Sequence, residues 1–364
     1  MRENWKTIQF EDCIERVPKT TKIQSSEYQQ SGTYPIVSQE DSIISGFWDN
    51  SADVLQIAHP VVVFGDHTRI LKYIDFDFVV GADGVKVLSP KPFLCPKFLY
   101  YYLRWVNIPS LGYSRHYKLL KELTIPVPPI VEQERIVGEL DLLSGIIDKQ
   151  KAQLRELDTL AQSIFYDMFG DPIINEKDWV IRLLGEVCTI GSGGTPSKKV
   201  KEFWEGGYIP WIGSHMCQNK IIYETDGNFI TQMGLDNSSA KMLPIDTIII
   251  ALVGATIGKV GLLKIECCTN QNIAFVMVSN AINCYFLYYV IINLYKLFLN
   301  IGNGKFKMAN LAFVRNLPII QPPLILQQRF AERIENIERQ KELIKQSISD
   351  TETLYNSRMD YYFD

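Results

Sequence analysis

The sequence lacks long hydrophobic runs and paired cysteines. No apolar stretch approaches the roughly 20 residues that a membrane-spanning helix needs, so we expect no membrane association. The seven cysteines are odd in number, scattered and without a C-x-x-C pair. Such a set favours free thiols in a reducing compartment over disulfides or a zinc site. We therefore predict a cytoplasmic protein.

Catalytic motifs are also missing. The Gly-rich segment 254–260 resembles a phosphate-binding loop, but it has three residues rather than four between its glycines and ends in valine where Ser or Thr is required. No serine lies in a G-x-S-x-G turn, and the four histidines are too dispersed for a metal cluster. These absences favour a binding protein with no catalytic residue, metal or cofactor of its own over an enzyme.

The charge is distributed unevenly along the chain. The formal net charge is −4, which argues against nucleic acid as a partner when taken as a whole. Most of the acidic excess lies in 126–170 and 319–364, whereas 1–125 is neutral and 171–318 is slightly basic. The charge pattern is therefore compatible with DNA binding by the two remaining regions, without demonstrating it.

The stretch 128–170 has apolar residues at heptad spacing, which is typical of a long helix packed against another helix. The proline pair at its start and Gly170 at its end are ordinary helix boundaries. A helix from Ile130 to Met168 would span roughly 58 Å. The predicted seam consists of Ile136, Leu140, Leu143, Ile147, Leu154, Leu157, Ala161, Ile164 and Met168, interrupted by Gln150.

The C-terminal stretch repeats this segment at a fixed offset of 194 residues, so that Pro128 corresponds to Pro322 and Phe169 to Phe363. Its seam carries two polar residues, Lys341 and Thr351, which usually cost stability and specify register. The apolar members of this second seam are Phe330, Ile334, Ile337, Ile344, Ile348 and Tyr355.

A globular region precedes each helical segment, and the two regions correspond loosely in sequence. Short β-branched runs at 61–64, 78–80, 247–251 and 273–278 predict strands, and 94–106 and 283–299 predict amphipathic helices. We predict an α+β fold with two similar globular domains (1–127 and 171–320). These alternate with two long helices (128–170 and 321–364) that pair as an antiparallel coiled coil with a pseudo-twofold axis.

This layout resembles the specificity subunit of type I restriction–modification systems, over the whole chain. The phrases that carry the resemblance are the helix entries at 125–137 and 317–331, Gly-Gly-Thr-Pro-Ser at 193–197, Ile-Pro-Trp-Ile at 209–212, the segment 254–260 and Tyr-Asp-Met-Phe-Gly at 166–170. The first region departs from the pattern, because it has no Gly-Gly-Thr-Pro-Ser and carries Gly-Asp-His-Thr-Arg at 65–69. A different half-site sequence is the expected consequence.

The resemblance implies two target-recognition domains, each reading one half of a bipartite site in double-stranded DNA. It also implies that the helices set the spacing and dock two methyltransferase subunits, which would bind S-adenosylmethionine. Two translocating nuclease subunits could complete the complex. The main alternative is a protein–protein scaffold without sequence readout, and a third is a self-contained DNA-modifying enzyme.

Sequence readout needs polar side chains on base edges and cations on phosphates. The glycine run at 191–194 is interpreted as a flexible lead-in to a basic loop, and Trp211 as a core residue. In the second region the candidates are Thr195, Ser197, Lys198, Lys199, Ser214, His215, Thr256, Lys259, Lys305, Lys307 and Asn310. The alternative for the lysines is an ordinary solvated surface.

In the first region Arg69 is the foremost candidate, for a guanine or a phosphate; its alternative is a salt bridge to Asp66 or Asp75. The tyrosines at 100–102 are assigned to the core because of their helical position. The full candidate set of this region is Ser38, Gln39, His67, Thr68, Arg69, Arg115, Tyr117 and Lys118.

Overall fold

The chain folds into two compact units. The fold is taken from a computed structural model, which describes residues 5–82, 84–112, 114–300 and 308–364. Unit 1 consists of Met1–Lys151 and Lys345–Asp364, and unit 2 of Ala152–Ile344. Each unit therefore combines one globular region with part of each long helix, whereas the predicted boundaries at 127, 170 and 320 place the helices in segments of their own.

Unit 1 contains two small sheets and an antiparallel ribbon, in the strand orders β2-β9-β6-β7, β4-β3-β8-β5 and β1-β10. The strands are β1 (Lys6–Gln9), β2 (Ile14–Glu15), β3 (Tyr34–Val37), β4 (Gly46–Trp48), β5 (Val54–Leu55), β6 (Val61–Gly65), β7 (Leu71–Ile74), β8 (Phe78–Val80), β9 (Val85–Pro90) and β10 (Thr124–Val127). The helices are α1 (Phe10–Cys13), α2 (Pro96–Val106), α3 (Tyr117–Lys121) and the beginning of α4 (Ile130–Phe169).

Unit 2 has a similar plan, with strand orders β12-β19-β16-β17-β14, β15-β13-β18 and β11-β20. The strands are β11 (Ile181–Leu183), β12 (Cys188–Ser192), β13 (Ile209–Ile212), β14 (Lys220–Ile222), β15 (Phe229–Ile230), β16 (Ile248–Ala251), β17 (Val260–Leu263), β18 (Cys268–Thr269), β19 (Ile273–Val278) and β20 (Pro318–Ile320). The helices are α5 (Leu184–Val187), α6 (Gln232–Asp236), α7 (Cys284–Asn293), α8 (Tyr295–Leu299), α9 (Leu311–Arg315) and α10 (Leu324–Phe363), whose last residues belong to unit 1.

The mixed composition of helix and sheet is confirmed, and the correspondence between the two regions extends to their topology. Strand β3 pairs in parallel with β8, and β13 does so with β18. The hairpin β6–β7 is matched by the hairpin β16–β17. The four predicted strands coincide with β6, β8, β16 and β19 to within one residue, because fully buried strands read as continuous apolar runs. The helix predicted at 283–299 is divided into α7 and α8.

The polar residues of the predicted seams have partners within their own units. In unit 1, the Gln150 amide donates to the Ser347 hydroxyl at 2.7 Å. Outside the predicted seam positions, Arg358 forms a bidentate pair with the Glu139 carboxylate. In unit 2, the Lys341 ammonium lies 2.7 Å from the Asp158 carboxylate. The Gln150 amide nitrogen and the Lys341 ammonium are therefore paired across facing helical segments. The Gln150 amide oxygen is buried without a partner among the described residues, and the Thr351 hydroxyl donates to the Ser347 carbonyl of its own helix.

The predicted seam needs correction near the end of α4. Phe165 and Phe169 are fully buried, whereas the predicted seam residues Ile164 and Met168 are only half-buried. The reason is a further helix in unit 2, since the Phe286 ring of α7 lies 4.7 Å from that of Phe169. Helix α4 is therefore covered on two sides here, which a heptad pattern for one partner does not anticipate.

A buried glutamine joins each globular region to the long helix that follows it. Gln133 accepts a hydrogen bond from the Cys95 backbone N–H at 2.8 Å and donates to the Pro128 carbonyl at 2.8 Å. Gln327, its counterpart 194 residues later, accepts from the Asn283 N–H at 2.9 Å and donates to the Pro322 carbonyl at 2.8 Å. Both side chains are fully buried. The sequence repeat thus includes a repeated junction.

Replacing Gln133 by leucine should lower the free energy of unfolding of unit 1 by roughly 2 kcal/mol, because it leaves the Cys95 N–H and two carbonyls without their partner. Urea denaturation would measure the change. The matched control is Glu134→Leu, on the exposed surface of the same helix and in the same unit, for which a change within about 0.5 kcal/mol is expected. Equal effects of the two substitutions would contradict the role of the junction.

Candidate nucleic-acid interface

The turn between β6 and β7 is tied to the segment before α3 through Asp66, which is buried. The Asp66 backbone carbonyl accepts from the His116 N–H at 2.8 Å, and its carboxylate accepts from the Tyr117 N–H at 2.7 Å. The Asp66 N–H in turn donates to the Gly84 carbonyl at 2.7 Å. Two predicted contact segments, 66–69 and 115–118, are therefore brought together.

The same turn contacts the loop that follows β3. The Thr68 hydroxyl donates to the Gln39 carbonyl at 2.7 Å, and the Gln39 amide oxygen accepts from the His67 N–H at 3.3 Å. The buried Lys72 ammonium supports this loop by donating to the Ser38 carbonyl at 2.8 Å and to the Ser42 carbonyl. Burial lowers the pKa of the Lys72 amine, with Glu40 and Asp41 opposing the shift. The Lys72 ammonium therefore stabilises the backbone of this loop.

Removal of the Asp66 carboxylate should destabilise this arrangement. We expect Asp66→Ala to lower the free energy of unfolding of unit 1 by roughly 2 kcal/mol, because a buried charge-assisted hydrogen bond to the Tyr117 N–H is lost. Asp66→Asn is the matched control, since its amide oxygen still accepts from that N–H; a change below about 1 kcal/mol is expected. Hydrogen exchange of peptides covering 65–70 would show whether protection is lost in this turn. Equal free energies of unfolding for Asp66→Ala and Asp66→Asn would contradict the role of the carboxylate.

The remaining candidates of the first region differ in accessibility. Ser38 is buried and its hydroxyl lies 2.6 Å from that of Ser45, so it supports the loop instead of facing solvent. Arg115 and Lys118 are exposed, whereas Tyr117 packs its ring against Phe10 at 6.2 Å.

Arg69 is exposed and has a left-handed backbone, with φ of 63°. Its Nη1 donates to the Ile108 carbonyl at 2.9 Å. Within the described residues it forms no salt bridge with Asp66 or Asp75, the alternative that the sequence left open. The guanidinium is therefore anchored at one nitrogen and has no carboxylate partner among the described residues.

In unit 2, hydrogen bonds connect the 3₁₀ turn after β13 with the turn between β16 and β17. The exposed His215 lies 3.0 Å from the Asp226 carboxylate, and its carbonyl accepts from the Gln218 amide at 3.0 Å. The Gln218 amide oxygen accepts from the Lys259 ammonium at 2.9 Å. The predicted residues His215 and Lys259 are thus brought to one surface through Gln218.

The glycine run before Thr195 is not a flexible lead-in, and that prediction was wrong. Gly193 and Gly194 are buried. The Gly194 carbonyl accepts from the Trp211 indole at 2.9 Å, and its N–H donates to the Thr269 carbonyl at 2.8 Å. The glycines are required because the backbones approach closely, not because the loop must move. Trp211 is buried, as expected for a core residue.

The other candidates of unit 2 lie in several places. Ser197, Lys198 and Lys199 are exposed in the loop after Thr195, and Ser214 and Thr256 are half-buried in their turns. Asn310 caps α9 by accepting from the Phe313 N–H at 2.8 Å, and its neighbour Ala309 donates to the Leu252 carbonyl at 2.9 Å. The predicted contacts Lys305 and Lys307 lie outside the described residues.

Sequence reasoning missed several polar residues of these surfaces. Gln218 joins the two turns, and Gln271 accepts a hydrogen bond from the Thr195 hydroxyl. A usable signal for Gln271 was the short polar run 269–272 between two apolar strands. Among the described residues, no group of three His, Cys, Asp or Glu side chains could hold a metal ion. No helix in that part of the chain is long and apolar enough to cross a membrane.

Comparisons with known proteins agree with the fold. The family described as "Type I restriction modification DNA specificity domain" matches residues 2–158 and 176–352. The specificity subunit of the type I restriction enzyme EcoR124I/EcoR124II from Escherichia coli is 27% identical over 297 residues, covering 75% of this chain and 71% of the relative. The MjaVIII specificity subunit of Methanocaldococcus jannaschii is 23% identical over 380 residues, covering 92% and 86%.

Solved structures show the same fold. The S subunit of a type I restriction–modification system from M. genitalium superposes with a TM-score of 0.63 at 16% identity, covering 98% of this chain and 95% of that one. The family match extends over most of the chain and includes both globular regions. The chain therefore belongs to the family of type I restriction–modification specificity subunits, which recognise DNA sequence and are not themselves catalytic.

Proposed function

We propose that each globular region reads one half of a bipartite sequence in double-stranded DNA. The observation that carries this division is the repeated assembly of contact segments. In unit 1, the segments 38–39, 66–69 and 115–118 are hydrogen-bonded into one surface. In unit 2, the segments 214–218 and 256–259 form a similar one. Their different side chains would read different half-sites.

The contact residues in this proposal fall into two groups. Gln39, His67, Ser214 and His215 are placed at base edges, because their side chains carry donors and acceptors. The cations at 115, 118, 198, 199 and 259 are placed at phosphates, which set register without reading sequence. Ser38 and Tyr117 would act through the loops they support.

We further propose that α4 and α10 pair as one antiparallel coiled coil with a pseudo-twofold axis and thereby set the spacing of the half-sites. Pairing is supported at both ends, by Arg358 with Glu139 in unit 1 and by Lys341 with Asp158 in unit 2. From the first pair to the second, the residue of α4 moves toward the C-terminus, from Glu139 to Asp158, while its partner in α10 moves toward the N-terminus, from Arg358 to Lys341. Antiparallel helices require this order.

Two methyltransferase subunits would dock on the helices. Support comes from exposed apolar side chains that recur at the offset of 194: Val131 is 73% exposed and Ile325 61%, and Leu160 is 48% exposed and Leu354 49%. Exposed apolar positions that occur twice in the chain fit two copies of one partner. S-adenosylmethionine would be bound by those subunits, with translocating nuclease subunits as possible further partners, and the assembly would act in the cytoplasm.

The decisive experiment maps methylated adenines in DNA from cells that express this chain with its methyltransferase. A bipartite consensus with a fixed gap is expected. Methylation at sites that share no sequence would refute the proposal and favour the alternative, a protein–protein scaffold without sequence readout. The spacing role is tested by inserting one heptad after Gln150 and one after Ile344, its counterpart. Seven helical residues add about 10.5 Å, or roughly three base pairs. The gap should lengthen by that amount while both half-sites stay unchanged.

A further inference from the structure

An open cleft of about 490 Å³ lies in unit 1 between the β6–β7 turn and the C-terminal half of α2. Its walls include Thr68 and Arg69 from the turn and Tyr100, Arg104, Asn107 and Ile108 from α2 and the residues after it. The turn is one of the proposed DNA-contacting segments. The cleft is thus continuous with the reading surface of the first region.

The charge in this cleft is of one sign. Arg69 and Arg104 both line it, and no carboxylate from the described part of the chain does. Arg69 uses Nη1 on the Ile108 carbonyl, and Arg104 lies over the Tyr100 ring with 5.6 Å from its guanidinium carbon to the ring centre. Among the described residues, neither guanidinium is in a salt bridge. Two uncompensated guanidinium groups at one cleft favour an anionic ligand.

A neighbouring cleft of about 540 Å³ in the same unit provides the contrast. Two of its lysines are paired with carboxylates, since Lys97 lies 2.8 Å from the Asp141 carboxylate and Lys151 lies 2.8 Å from that of Glu352, and the third, Lys72, donates to the Ser38 and Ser42 carbonyls. An anion entering there would have to displace an internal carboxylate. Arg104 lines this larger cleft as well but Arg69 does not, and among the described residues no carboxylate lines the cleft that holds both arginines.

The backbone around the smaller cleft is also unusual. Arg69 has φ of 63° and Asn107 has φ of 48°, so two non-glycine residues on opposite walls adopt the left-handed conformation. Such conformations are costly for side-chain-bearing residues and persist where the surroundings enforce them, often at ligand sites. Asn107 is the C-cap of α2, where a left-handed asparagine is an ordinary helix ending, so the unusual conformation among the described residues of this cleft is that of Arg69 alone.

We propose that this cleft binds a phosphodiester group of the DNA backbone beside the half-site read by the first region, with Arg104 and Arg69 as its two cationic ligands. The inference rests on the proposed function and assigns Arg69 to a phosphate, one of the two targets that the sequence left open. Guanidinium groups suit phosphate because their planar N–H pairs match two phosphate oxygens. The Thr68 hydroxyl of the same turn donates to the Gln39 carbonyl.

The test uses the full chain and two labelled duplexes, one carrying the mapped bipartite site and one with both half-sites scrambled. Arg104→Gln should weaken binding to both duplexes about tenfold, which is the ordinary value of a charged hydrogen bond. The ratio of the two affinities should not change, and the slope of log affinity against log salt should fall by about 0.9. Arg104→Lys should keep the slope, because it keeps the charge.

Lys97→Gln is the matched control, because it removes one positive charge from the same helix at the neutralised cleft; its affinity and slope should equal those of the wild type. An Arg104→Gln variant with wild-type slope would overturn the proposal, as would a loss confined to the duplex with the site. Equal binding of both duplexes by the wild-type chain would refute the proposed function instead. In that case the salt dependence on the scrambled duplex still tests the cleft. A slope for Arg104→Gln smaller than that of the wild type would support phosphate binding there, and equal slopes would exclude it.

Discussion

Phe165→Ala should lower the free energy of unfolding of unit 2 by roughly 3–5 kcal/mol, the usual range for removing a buried phenylalanine ring. Phe165 is fully buried. Its ring centre lies 5.3 Å from that of Phe169, 5.7 Å from that of Phe330 and 6.2 Å from that of Phe286. The substitution therefore opens a cavity where the end of α4, the start of α10 and α7 of the globular region meet.

Urea denaturation would measure this loss, and hydrogen exchange would assign it to a unit. Peptides from α7 should lose protection while peptides from β6 in unit 1 keep theirs. Leu160→Ala is the control from the same helix, because that side chain is 48% exposed; it should cost less than about 1 kcal/mol. If both substitutions cost the same, the aromatic cluster is not what joins the helices to the second region.

Gly193→Ala should destabilise the second region by about 3 kcal/mol or more. A Cβ added at this position would lie 2.1 Å from the Thr269 carbonyl oxygen and 2.3 Å from the Thr269 hydroxyl oxygen. The carbonyl belongs to a paired strand, so the clash is relieved only by shifting backbone, and such overpacking costs at least as much as inserting a methylene into a core. The hydrogen bond from the Gly194 N–H to the same carbonyl should be disturbed as well.

Gly138→Ala serves as the opposite control. An added Cβ there meets nothing within 4 Å, and the residue lies inside α4. Alanine should stabilise the helix by about 0.5–1 kcal/mol because it restricts the unfolded chain and favours helix. The free energies of unfolding of the two variants, measured by urea denaturation, should change in opposite directions relative to the wild type. A Gly193→Ala variant as stable as the wild type would show that the close backbone approach can relax.

The long helices were the most predictable part of the fold. Their boundaries at Ile130 and Leu324 follow the proline pairs, and Ile136 and Leu140 of the predicted seam are fully buried. A heptad pattern records contact with one partner along one stripe. It could not identify Phe165 and Phe169, because those rings are buried partly by α7, a helix more than 100 residues away in the chain.

The sequence predicted which segments form the candidate interface, but not how their side chains are arranged in space. Matching the two regions selected 66–69 and 256–259, and both are turns between paired strands. Arg104 was missed because nothing in its helical surroundings distinguishes it from a solvated arginine. It became a candidate only where the fold placed it across a cleft from Arg69.

By itself, the sequence determined the repeated order of globular region and helix, the type of most secondary structure and the resemblance that identified the family. These features are encoded locally, in periodicities of two or 3.6 residues and in phrases repeated 194 residues apart. The tertiary structure alone decided that the glycine run is a close backbone approach, that Ser38 is buried and that two arginines share one cleft. Those properties depend on distances between residues far apart in the chain, which are set by packing and leave no local signal.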